Sequence, residues 1–95
     1  MNHYFYVKSV KIIYDIAKKS YSAAVWWNYR DRTLVRDVKD YRKLRLKLLQ
    51  NFDIRIPNKD KLVFHSGCWY NSKIDHKLAI YELPEPKYFE DLKRF

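Results

Sequence analysis

Five cations recur at a spacing suited to holding a polyanion: Arg32, Arg36, Lys39, Lys43 and Lys47. On a helix, at 100° per residue, they fall in one narrow sector, opposite Leu34, Val38, Tyr41 and Leu48. The run from Arg32 to Lys47 would be roughly 22 Å long at 1.5 Å per residue, enough to follow several phosphates. Like charges at i,i+4 each cost about 0.2–0.5 kcal/mol in a helix, and only Asp40 stands where it could relieve them. A face under no binding pressure ordinarily intersperses Glu, and this run has none. A solvated face enriched in Lys by codon usage explains the same residues less well.

Trp26, Trp27, Tyr29 and Arg30 form an aromatic run abutting a base. Adjacent Trp side chains on a helix point about 100° apart, so burying both is difficult. An exposed Trp or Tyr beside Arg can stack on a nucleobase or anchor a protein partner. Burial at a junction of elements is the commoner fate of large aromatics.

His65, Cys68 and His76 are the ligand-like set, with His3 as an outlying fourth imidazole or thiol donor. His-x-x-Cys followed by a distant His matches no common zinc spacing, so neither metal nor cofactor is expected. His65, Tyr70, Lys73, Asp75 and His76 could supply the acid, base and phosphate clamp of a metal-free ribonuclease, a minor alternative to a non-enzymatic role. With one Gly in the chain there is no phosphate-cradling loop. Arg45 falls inside the apolar stripe, which calls for a carboxylate partner from the second half or for an interface.

The charge surrounding these residues is uneven. Residues 1–51 hold twelve Lys and Arg against four acids, whereas residues 52–95 hold eight against seven. A codon bias would spread the excess, so the asymmetry points to electrostatic steering of an anionic partner. Phe, Tyr, Met, Ile, Asn and Lys total 40 residues against 15 for Gly, Ala, Arg and Pro, a skew typical of A/T-rich genomes, including many viral ones.

The elements expected to position these groups make an α+β layout in one compact domain spanning residues 1–95. Val10, Ile13, Tyr14, Ala17 and Tyr21 predict a helix over 5–21, although Tyr4–Val7 has strand-like composition. Residues 22–29 read as a short second helix capped by Ser22. Residues 29–50 read as a long basic amphipathic helix with Asn28 as N-cap and Asn51 as terminator. Gly67, Pro57, Pro84 and Pro86 all lie in the second half, so the first half is expected to be continuous and the second segmented. Ile54–Ile56 is a short strand in this reading. Lys61–Ser66 and Lys77–Leu83 pair as an antiparallel hairpin, and Lys87–Arg94 closes the chain as a short helix.

The function these features support best is nucleic-acid binding through the cationic helix face. A small inhibitor that blocks a host protein, as viral and phage proteins do, uses the same charges against an acidic protein surface. The expected partners are therefore DNA or RNA, or an acidic protein, with no membrane and with a homodimer allowed. With one cysteine, no apolar run of membrane-spanning length and no leader pattern at the N-terminus, the expected location is the cytoplasm, that of the host if the chain is viral.

Overall fold

The computed structural model describes residues 5–26, 32–68 and 75–89. Residues 5–38 form a β-meander where two helices and the start of the long third one are expected. Strands β1 (Phe5–Asp15), β2 (Ser20–Trp26) and β3 (Arg32–Val38) precede one helix, α1 (Tyr41–Phe52). A 3₁₀ turn over Lys59–Lys61 then leads to β4 (His65–Cys68) and the long β5 (Asp75–Phe89). The strands form one antiparallel sheet in the order β3-β2-β1-β5-β4, so α1 carries the chain from one edge of the sheet to the other.

The sequence of β1 and β2 explains why strand wins. Val7, Val10, Ile12, Ile13 and Val25 are β-branched and suit a pleated, half-buried surface better than a helix. Val10, Ile12 and Tyr14 stand in register with Val25, Ala23 and Tyr21 and with Tyr81, Ala79 and Lys77. Most of these side chains join the core under α1. Ile13 and Ala24, on the alternate positions, are buried as well. Apolar burial on both faces blurs the period-2 signal and lets a helical period be read through it.

The turns need neither Gly nor Pro. Lys19, Asp37 and Asp53 take left-handed φ values of 52°, 55° and 53°. Asp15 accepts the Lys18 backbone N–H at 3.0 Å and so closes the β1–β2 turn, as Asp side chains commonly do. At the β2–β3 irregularity the Asp37 N–H donates to Ser22 Oγ at 3.2 Å. Continuity inferred from missing Gly and Pro was therefore misplaced.

The helix starts twelve residues later than expected. Asp40, extended at φ −114° and ψ 129°, accepts the Arg42 N–H at 2.9 Å and is the N-cap; Asp53 closes the C-terminus in the αL conformation. Tyr41, Leu44, Leu48 and Phe52 are the buried stripe, each worth about 1.5–3 kcal/mol when fully buried. They meet Val7, Val10, Ile12, Val25 and Val38 of the sheet and Ile54 and Ile56 beyond the helix. The Tyr21 ring packs tilted against Tyr14 and in a T-shaped contact with Tyr41 through this layer, at centroid separations of 4.8 and 5.5 Å.

Ile54 and Ile56 are buried anchors in an irregular segment rather than a strand. Pro84 and Pro86 do not end the last strand. The register passes from Ser9 opposite Glu82 to Val7 opposite Lys87, so residues 83–86 are looped out opposite Lys8, where missing N–H donors cost little. Lys87, Tyr88 and Phe89 continue β5 in place of the expected terminal helix, whose remaining residues lie outside the described ones. Among the described residues no helix is long and apolar enough to cross a membrane.

Candidate functional site

Once Tyr41, Leu44, Leu48 and Phe52 are committed to the core, helical geometry turns Arg42, Lys43, Leu46, Lys47 and Gln50 to solvent. The helix holds four bases (Arg42, Lys43, Arg45 and Lys47) and no acid. Arg42 and Lys43 sit in its first turn, against the positive end of the dipole, where a cation costs about 0.3–1 kcal/mol. Lys43 and Lys47 add an unfavourable like-charge pair at i,i+4. The Asp40 cap is the nearest offset to this arrangement.

Arg45 points the other way, toward the chain that leaves the helix. Its Nε donates to the Ile56 carbonyl at 3.1 Å and its Nη1 to Asn58 Oδ1 at 2.6 Å. Beside it, the Tyr41 hydroxyl donates to the Pro57 carbonyl at 2.6 Å, and burial pushes that phenol up to about 12. The carboxylate partner expected for Arg45 is thus replaced by a backbone carbonyl and an amide. These bonds hold residues 54–58 against α1 and bring Arg55 alongside it. Asp53, between them, is engaged by Lys87 at 2.5 Å, which holds its carboxyl below the usual aspartate range.

The result is a depression of about 360 Å³ lined by Arg42, Arg45, Leu46, Leu49, Arg55 and Ile56. Its ionisable lining is entirely arginine. Among the described residues, ion pairs join Lys18 to Asp37 and Lys87 to Asp53, and His76 lies 3.6 Å from Asp15. None of these contacts involves Arg42, Lys43, Lys47 or Arg55.

The five-cation row expected from the sequence does not exist as one face. Arg32 stands in β3 opposite Trp26, and Arg36 is exposed further along that strand. Lys39 lies in the β3–α1 connection, its Nζ donating to the Lys18 carbonyl at 3.0 Å. Arg32 and Arg36 thus share β3, and only Lys43 and Lys47 lie on α1. Trp26 ends β2, while Trp27, Tyr29 and Arg30 lie outside the described residues. Of the residues lining the depression, Arg42 falls outside the angular sector counted from Arg32, and Arg55 lies beyond the helix expected over 29–50. The acid-free run from Tyr41 to Phe52 was the signal that could have found the site.

On the other face of the sheet, Ser20, Asp15, His76 and Gly67 form one transverse register row. His65 is the diagonal neighbour of His76, exposed where His76 is buried. Asp15 is held below the usual carboxylate range, first by the Lys18 N–H and more weakly by His76. Ser20 Oγ is buried without a hydrogen-bond partner. Tyr70 and Lys73 lie outside the described residues, and the side chains of Cys68 and Asp75 are not described.

No protein-family model, curated protein or solved structure matches the chain.

Proposed function

We propose that the protein binds nucleic acid through the outward face of α1, with Arg42, Lys43, Lys47 and Arg55 contacting phosphates. The observation that carries this reading is a helix of four bases and no acid whose first-turn cations oppose its own dipole. Local stability alone favours acids in that turn, so a role outside the helix accounts for the cations. The surplus of positive charge in the first half supplies long-range steering toward a polyanion. An acidic protein surface is the second reading, since it would meet the same cations.

Salt separates a multi-phosphate contact from weaker association. Each neutralised phosphate releases condensed counterions, so four contacts give a slope of log K against log salt of about −3.6 on duplex DNA and −2.8 on a single strand. Titration of a labelled 12-mer at several salt concentrations measures it. No binding at low salt removes this reading.

A further inference from the structure

Building on that reading, we infer that the Arg42–Arg45–Arg55 depression accepts an unpaired nucleobase, making single-stranded nucleic acid the preferred ligand class. The floor of the depression is apolar and its rim cationic. Leu46 is 50% exposed at the centre of the charged face, with half-buried Leu49 and buried Ile56 beside it. A duplex presents sugars and phosphates to such a surface and leaves Leu46 against charged groups, a poor match. An unpaired strand alternates flat apolar base faces with phosphates, which is the pattern the lining repeats.

Arg45 adds a stacking plane. Two of its donors are fixed on the Ile56 carbonyl and the Asn58 amide, which holds the guanidinium in place before any ligand arrives. A planar cation held in this way stacks on a base with little further loss of side-chain freedom. Arg42 and Arg55, exposed on the rim, are left for the phosphates on either side of that base. The volume, about 360 Å³, is at the small end of the range for ligand sites and suits one base rather than a larger group.

The test uses the full chain and four fluorescent probes at one low salt concentration: dT12, an abasic 12-mer of the same charge, a 12-bp duplex, and a Glu-rich 12-residue peptide carrying one Trp. The expected result is that dT12 binds at least about fivefold more tightly than the abasic strand, the effect of one stacked base. Leu46→Gln should erase that advantage without changing abasic-strand affinity, and Arg42→Gln should weaken both. Circular dichroism confirms that each variant is folded. Equal affinity for dT12 and the abasic strand, or tighter binding of the duplex, overturns this inference and leaves the nucleic-acid reading standing. Tighter binding of the peptide than of any oligonucleotide assigns the depression to an acidic protein and overturns both. Failure of all three oligonucleotides to bind overturns the nucleic-acid reading itself.

Discussion

Arg45 lies on the helix and Ile56 beyond it, and the 3.1 Å bond from the Arg45 Nε to the Ile56 carbonyl fixes the segment that forms one wall of the depression. Arg45→Met should keep the aliphatic packing and leave both the Ile56 carbonyl and the Asn58 amide without this donor. The expected cost is about 1–3 kcal/mol, read as a lower urea midpoint. Arg45→Lys should recover only part of it, because an ammonium lacks the fixed fork that spans two acceptors. A midpoint unchanged in both variants would show that the bond contributes nothing to the fold.

The cations of α1 and those of β3 and its connection can be separated by charge reversal. Lys43→Glu with Lys47→Glu changes the exposed face of α1, whereas Arg36→Glu with Lys39→Glu makes the same charge change on β3 and its connection. The α1 pair should weaken oligonucleotide binding strongly and flatten the salt slope by about two. The β3 pair should act mainly through net charge, with a smaller loss. Equal losses from the two pairs would sink the helix-face site.

Acid should weaken the fold partly through Asp53 and Asp15. The Lys87 ammonium holds Asp53 below the ordinary value of 3.8, and the Lys18 N–H is the largest of the causes that do so for Asp15. A carboxyl depressed in the folded state adds stability that is complete above its unfolded pKa and disappears as pH falls through the folded value. The urea midpoint should therefore drop below about pH 4, and drop less steeply in the Asp15→Asn, Asp53→Asn double variant. Parallel curves for wild type and variant would place the acid sensitivity elsewhere.

Lys19 offers a route to a more stable chain. It is exposed and holds a φ of 52°, a conformation that costs a side-chain-bearing residue about 1–2 kcal/mol. Lys19→Gly removes that cost at some expense in unfolded-state entropy, so a net gain of about 0.5–1 kcal/mol is expected. Lys19→Val should lose stability in the same thermal-melt comparison. If both variants melt with the wild type, the turn carries no strain.

What could be read from the sequence was charge and apolar content rather than geometry. Tyr41 and Leu48 were legible as part of one apolar stripe, and the basic surplus of the first half was legible as an uneven charge distribution. Where the helix begins was not. Leu34, Val38 and Tyr41 continue one helical stripe on paper, yet Val38 ends a strand and Tyr41 starts a helix. The Asp40 cap starts the helix and a left-handed Asp37 stands just before the end of the strand, neither flagged by Gly or Pro. The site was illegible for a related reason. Arg55 reaches α1 because Asp53 turns the chain back in a left-handed cap without the usual Gly, and because Arg45 fastens the segment through the Ile56 carbonyl, a contact with no local signature.

The sheet order has a bearing on how the chain comes to be folded. β1 and β5 are neighbours near the middle of the sheet, and their register joins Phe5 to Phe89, from opposite ends of the described chain. β1, β2 and β3 can assemble through short hairpins as they leave the ribosome, but the inner edge of β1 finds its partner only when β5 emerges. Loop-closure entropy is met last and in a single long-range step, so the rate-limiting event should be the docking of β5. Until then β1 presents an open hydrogen-bonding edge, so a ribosome stalled before residue 75 would display an aggregation-prone nascent chain.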